Sequence, residues 1–110
     1  MKLARQYFLE LAEQQPQRTR FIARRQSYHG NTLGSLALGG HVPRKMPYHP
    51  ILATNVSHVS PCYPYRDQGE DESDQAYVAR LAEELEDEFQ RVGPNTVCAF
   101  VIETMSGSVS

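Results

Sequence analysis

The sequence predicts an α/β domain built on a mainly parallel sheet, in three α/β/α layers. Three observations carry that expectation. Strand-like and helix-like segments run in the order strand, helix, strand, long helix, strand, as when helical crossovers join parallel strands. Val97-Cys98-Ala99-Phe100-Val101-Ile102 is a continuous apolar run, the pattern of a strand covered on both faces. Between Ser73 and Gly93 the chain carries one apolar face and one acidic face, as a helix lying on such a sheet needs.

The first element reads as a helix, with Leu3, Tyr7 and Leu11, and Phe8 and Ala12, at helical spacing. Pro16 is its expected stop. Arg20 to Arg25 has an apolar centre and suits a buried strand. Ser27-Tyr28-His29-Gly30-Asn31 is a turn, and Thr32 to Leu38 a short helix stopped by Gly39-Gly40. Pro43, Pro47 and Pro50 deny regular structure to residues 41–55. Asn55 to Val59 forms a second strand, and a long loop begins at Pro61.

The long helix has Tyr77, Leu81, Leu85 and Phe89, with Val78, Ala82 and Val92, on one face. Glu83, Glu84, Glu86, Asp87 and Glu88 mark the other. Ser73 or Asp74 caps its start, and Gly93-Pro94 ends it. Three strands and three helices in 110 residues make a marginal core. The first helix begins with no preceding loop, and the chain stops just past a strand end. Both features lead to the expectation of one fragment, truncated at both ends.

Composition narrows the function. Residues 1–66 hold nine Lys/Arg and two Asp/Glu, and residues 67–110 hold two and eleven. The basic residues form no tract and accompany no nucleic-acid-binding pattern, so nucleic acid is not an expected partner. No apolar run approaches the roughly 20 residues of a membrane span. The first residues lack an apolar signal core, and the two cysteines, Cys62 and Cys98, form no CxxC. An intracellular location, cytoplasmic or mitochondrial, is the expectation.

Two places have the makings of a site, each after a predicted strand. At Tyr28-His29-Gly30-Asn31-Thr32, an aromatic ring at a strand end can stack on a flat cofactor. Gly30 lets the backbone approach closely, and the following helix start offers N–H groups to anionic atoms. The competing structural reading is an aromatic core residue beside a turn glycine. At Glu103, with Ser106-Gly107, a carboxylate ends an apolar strand. Its competing reading is a solvated side chain at a loop entry. His41, His49, His58 and Cys62 make no ligand set with zinc-like spacing, so no metal is expected. Asn55-Val56-Ser57 fits the glycosylation pattern, which is unused inside a cell. Lys2 and Lys45 are the only lysines, and neither follows a strand as a carbonyl-trapping amine would.

The order of these segments resembles the class III aminotransferases, pyridoxal-phosphate enzymes of fold type I. Lys2-Leu3-Ala4-Arg5-Gln6-Tyr7 looks like the helix that follows their phosphate loop. Phe21 through Ser27-Tyr28-His29-Gly30-Asn31-Thr32 to Leu38 resembles their most diagnostic segment. His58-Val59-Ser60-Pro61-Cys62-Tyr63-Pro64-Tyr65-Arg66 resembles the next landmark, and Phe100-Val101-Ile102-Glu103 with Ser106-Gly107 resembles their Glu-Pro-Ile/Val-x-Gly turn.

The resemblance implies that residues 1–110 are a fragment of the large cofactor domain. It implies that Tyr28 stacks on pyridoxal 5'-phosphate, that His29 and Gly30 shape the neighbouring wall, and that Glu103 lies near cofactor and substrate. It implies transfer of an amino group from an amine or amino acid to a 2-oxo acid or aldehyde, in a homodimer. Thr104 stands where the family has Pro, and Ser108 stands where some branches have a second glutamate, against the 4-aminobutyrate and ornithine branches. The phosphate loop, the Asp that pairs with the pyridinium nitrogen and the lysine that anchors the cofactor have no counterpart here. The expectation is therefore an inactive chain when alone. A truncated reading frame, an epimerase or lyase on the same scaffold, and a non-catalytic association module are the alternatives.

Overall fold

A computed structural model describes residues 1–105. Three strands, β1 (Arg20–Arg24), β2 (Val56–Val59) and β3 (Val97–Val101), form one sheet in the order β2-β1-β3. Both pairings are parallel, with Ile22 opposite Ser57 on one side and Phe100 on the other. β1 is thus the central strand, and its Phe21, Ile22 and Ala23 are buried.

Alternation along β1 divides the core between the two sheet faces. Phe21 and Ala23 join Leu38 and Cys98, with Ala4 and Phe8 of α1 (Lys2–Glu10) packed against them. Ile22 joins Val59 and Val97 under Leu85, Phe89 and Val92 of the long helix. The result is the expected three layers. Opposite Arg20 and Phe21 the β3 register slips by one residue, a bulge. Cys98 and Ala99 therefore both pack on the α1 side, while Phe100 packs on the other.

Several elements depart from the sequence-based expectations. α1 ends at Glu10, not at Pro16, because Leu11 turns extended and the Gln15 N–H donates back to the Phe8 carbonyl. Its core-facing residues are Ala4 and Phe8, whereas Leu3 and Tyr7 are exposed. The segment after α2 (Leu33–Leu38) is not irregular. It forms α3 (Val42–Lys45) and a 3₁₀ turn (Met46–Ile51). Pro43 and Pro47 sit in first turns, where a missing N–H costs nothing. Pro64 likewise opens α4 (Pro64–Asp67) inside the expected loop. α5 (Asp74–Val92) starts where expected, with the Ser73 hydroxyl accepting from the Ala76 N–H at 3.1 Å. Val78 is exposed, so the α5 apolar stripe is narrower than the sequence suggests. β3 is buried only at Val97 and Cys98, and Ile102 lies beyond it, half-exposed.

Gly39-Gly40 works differently from a left-handed helix stop. Gly39 is extended, with φ −61° and ψ 155°. The reason for glycine lies next door. A Cβ on Gly40 would stand 2.3 Å from the Arg24 carbonyl oxygen and 2.6 Å from the Arg25 Cα. The Gly40 N–H donates to the Ser27 carbonyl, and the Gly40 carbonyl accepts from the Gln26 N–H. The exit of α2 is thereby laid against the exit of β1.

The last carbonyls of α2, orphaned by helix geometry, find two partners. Lys45 Nζ donates to the carbonyls of Ala37 and Gly39, at 3.0 and 2.9 Å. His58 Nε2 lies 3.0 Å from the carbonyls of Leu38 and Gly39, so this nitrogen carries the proton. Burial pushes the His58 imidazole below its ordinary value of 6.5; the two carbonyls oppose that shift, and the nearby Lys45 and Arg25 charges add to it.

Three predictions follow from this packing. Gly40→Ala is expected to destabilise the fold by about 3 kcal/mol, the cost of strain in a filled space. Ser73→Ala is expected to cost about 1 kcal/mol, one lost cap. Urea unfolding of both variants checks the ranking. His58 binds its proton less readily folded than unfolded, so its contribution is intact above pH 6.5. That contribution declines as pH falls below 6.5. Unfolding free energies measured across this range should slope upward with pH, and the slope should flatten in His58→Gln.

Candidate functional site

β1 passes to β2 on one side, and the chain then crosses to β3 on the other. In open α/β sheets, a ligand crevice forms at the C-terminal strand ends where the connections part in this way. Tyr28 follows the end of β1 and Glu103 follows the end of β3. The two meet: the Tyr28 N–H donates to Glu103 Oε1 at 2.9 Å. Glu103 is thus neither a free loop carboxylate nor a core group. It fastens one strand exit to the other.

Tyr28 is 45% exposed, so among the described residues it is not a core aromatic. Its ring lies on a cavity of about 880 Å³, shared with Glu103, Asn31, Leu33, Leu36, Pro47 and Tyr48. That volume suits a cofactor or a small substrate. Among the described residues, the walls combine apolar surface from α2 and the 3₁₀ turn with one carboxylate and one cation, Arg44. The Arg44 guanidinium carbon stands 4.8 Å from the Tyr28 ring centroid, a cation–π contact.

His29 and Gly30 lie behind this cavity rather than on it. They line a cleft of only about 10 Å³ with Ser27, His41 and Lys45. His29 Nε2 is buried there without a hydrogen-bond partner among the described residues. Gly30 has φ +121°, which disfavours any side chain, and its missing Cβ would meet Ser35 Cβ at 3.0 Å. Tyr28 is therefore presented by a turn that only glycine completes without strain. The Thr32 hydroxyl then accepts from the Ser35 N–H and starts α2. Ser27 steadies the other side of Tyr28, buried and donating from Oγ to the Arg24 carbonyl at 2.7 Å.

Of the residues singled out from sequence, the structure brings Tyr28 and Glu103 together and sets His29 and Gly30 in the supporting turn. Ser106, Gly107 and Ser108 lie outside the described residues. Sequence reasoning missed Arg44 and Tyr48. Both belong to the proline-rich stretch expected to be irregular, and the helical turns of that stretch fold them over the site. Lys45 Nζ is turned away, bound to two carbonyls, and burial lowers its proton affinity. No group of three or more His, Cys, Asp or Glu suited to a metal occurs among the described residues. No helix among them is long and apolar enough to cross a membrane.

The chain is similar to known proteins over nearly its whole length. A family model described as aminotransferase class III matches residues 1–109. An uncharacterized aminotransferase of Schizosaccharomyces pombe is 53% identical over 108 residues, 98% of this chain but 23% of that protein. An (S)-enantioselective omega-transaminase of Thermomicrobium roseum superimposes with a TM-score of 0.85 at 36% identity, over 97% of this chain and 23% of that one. An amine transaminase from an uncultivated Pseudomonas species, solved in its PLP-bound form, also reaches 0.85 at 30% identity, over 96% and 23% of the two chains. The chain thus spans about a quarter of the length of these relatives.

Proposed function

Because the chain belongs to the class III aminotransferase family, we propose that it forms one wall of the pyridoxal 5'-phosphate site of a transaminase, as a segment of the large cofactor domain. The reaction moves an amino group from an amine or amino acid to a 2-oxo acid or aldehyde. The observation that carries this reading is the half-exposed Tyr28 ring, held by Glu103 at the mouth of a cavity of cofactor size.

The residues present fit the group. A flat pyridine ring needs an aromatic platform, and Tyr28 offers one at the crevice where the strand exits diverge. Bound pyridoxal phosphate supplies an electron sink for chemistry at the amine carbon. Glu103 fixes the backbone from which Tyr28 projects, so the ring is held in place before binding. Gly30 and His29 shape the wall behind it. Leu33, Leu36, Pro47 and Tyr48 give the cavity its apolar wall.

The anchoring amine is another matter. Lys2 lies on α1, and Lys45 donates to the α2 carbonyls. Neither serves as carbonyl-trapping amine or proton carrier, so both roles fall to a longer polypeptide, and the chain alone does not turn over. The parent enzyme is read as an intracellular homodimer, cytoplasmic or mitochondrial. The free Cys62 and Cys98 agree with a reducing compartment.

Equilibrium dialysis against pyridoxal 5'-phosphate tests the platform. Tyr28→Ala should bind about tenfold more weakly, the order of one lost stacking contact, while Tyr28→Phe should bind as the wild type. Equal binding by Tyr28→Ala would sink the assignment. The isolated chain, given an amine donor and pyruvate, should show no turnover. A rate near 1 per second, ordinary for an enzyme, would overturn its inactivity.

A further inference from the structure

Among the described residues, three buried side-chain polar atoms have no hydrogen-bond partner: His29 Nε2, His41 Nδ1 and Asn55 Oδ1. Asn55 lies at the opposite end of the sheet, just before β2. The two histidines, 12 positions apart in sequence, both line the cleft of about 10 Å³ behind Tyr28. His41 stands at the cap position of α3, yet its side chain makes no capping bond. A buried nitrogen left unmatched costs folding free energy, and here two such nitrogens belong to one small space.

The cleft restricts what can serve both. About 10 Å³ is room for a single water and for little more. Arg44 and Lys45 line the same cleft, and their charges disfavour a cation there. No third His, Cys, Asp or Glu joins the two imidazoles as a metal ligand among the described residues. Water suits an imidazole nitrogen in either tautomer, because it donates to a bare nitrogen and accepts from a protonated one. Buried Ser27 lines the cleft as well. Its hydroxyl gives its proton to the Arg24 carbonyl and keeps lone pairs that can accept another. The cleft thus offers polar partners in about the number that an internal water takes.

We propose that one internal water joins His29 Nε2 to His41 Nδ1 and so pins the start of α3 to the turn that presents Tyr28. His29 follows Tyr28 directly, and His41 follows Gly40, which lies against the exit of β1. The bridge is a further tie on that turn, beside the Glu103 bond to the Tyr28 N–H and the Ser27 bond to the Arg24 carbonyl. Both histidines are positioning residues, and their role does not depend on what binds over Tyr28.

Oxygen-17 relaxation dispersion, which counts long-lived internal waters, tests this on the 110-residue chain. The wild type should hold one more water than His29→Phe, His41→Leu or the double variant. His41→Asn returns a polar atom near the Nδ1 position and should keep the water. In urea unfolding, each apolar single variant should lower the folding equilibrium constant about tenfold, the scale of one buried polar group left unpaired. The double variant should fall no further than the weaker single, because both lose the same bridge. The Tyr28 ring resonances should shift in both apolar variants and return in His41→Asn, which lost packing alone does not explain. An unchanged water count, additive losses in the double variant, or His41→Asn behaving as His41→Leu overturns the proposal. Zinc binding to both imidazoles of the wild type, or a chloride-dependent stability that the variants lose, also overturns it and marks an ion site instead. Should the apolar variants fail to fold, the wild type decides. Nuclear Overhauser transfer from a long-lived water to the ring protons of both histidines supports the bridge, and its absence overturns it.

Discussion

β1 is the constraint on which the rest of the molecule depends. It has a parallel neighbour on each edge and a helix layer on each face. A strand so placed must be apolar on both sides, and Phe21-Ile22-Ala23 meets that demand with three consecutive buried residues. Removing either face would expose half of a core that is already small. The exit of β1 is then fixed as well, since Gly40 brings the end of α2 to within van der Waals distance of Arg24 and Arg25. The position of Tyr28 is therefore set by the core before any ligand arrives.

The same topology explains why a carboxylate two residues past β3 can reach it. Parallel strands all end on one side of the sheet, and neighbours end close together. Residues distant in sequence, Tyr28 and Glu103, thus become hydrogen-bonded partners across the β1–β3 crevice. A second set of ties braces the opposite side. Arg25 bonds to Ser60 Oγ, and Glu84 of α5 accepts from the Ser60 N–H and hydroxyl. Burial raises the Glu84 carboxyl, but the Ser60 and Arg25 contacts together outweigh it and hold the group below its ordinary value. The β1 exit is held at both edges, by α5 on one side and by Glu103 on the other.

What sequence made legible follows from how local each signal is. The strands and α5 announce themselves through period and apolar runs, and Ser73 and Gly93 mark the ends of α5 by their own chemistry. Tyr28 and Glu103 could be singled out because each closes a strand. What was hidden is tertiary. Tyr7 and Phe8 are equally good candidates for the buried face of α1, and only the packing of Ala4 and Phe8 against the sheet decides between them. Prolines look the same in an irregular loop and in the first turn of a short helix, so α3, the 3₁₀ turn and α4 could not be read. Arg44 and Tyr48 were lost with them. Gly40 could be read as a stop but not as a point of contact, because its neighbours Arg24, Arg25 and Gln26 lie far back in the sequence, before α2.

The adjacent pair Arg44-Lys45 shows how one short helical turn divides two cations between fold and site. Successive residues on a helix point about 100° apart. Lys45 turns inward, satisfies two α2 carbonyls and is desolvated there. Arg44 turns outward over Tyr28 and, among the described residues, makes no hydrogen bond or ion pair. Exchanging them would put a compact ammonium over the ring and a wide guanidinium into a gap shaped for one nitrogen. Pro43 and Pro47 set the turn that fixes this division. The proline-rich stretch is therefore not a passive connection between β1 and β2. It completes the cavity wall with one residue and locks the α2 exit with the next.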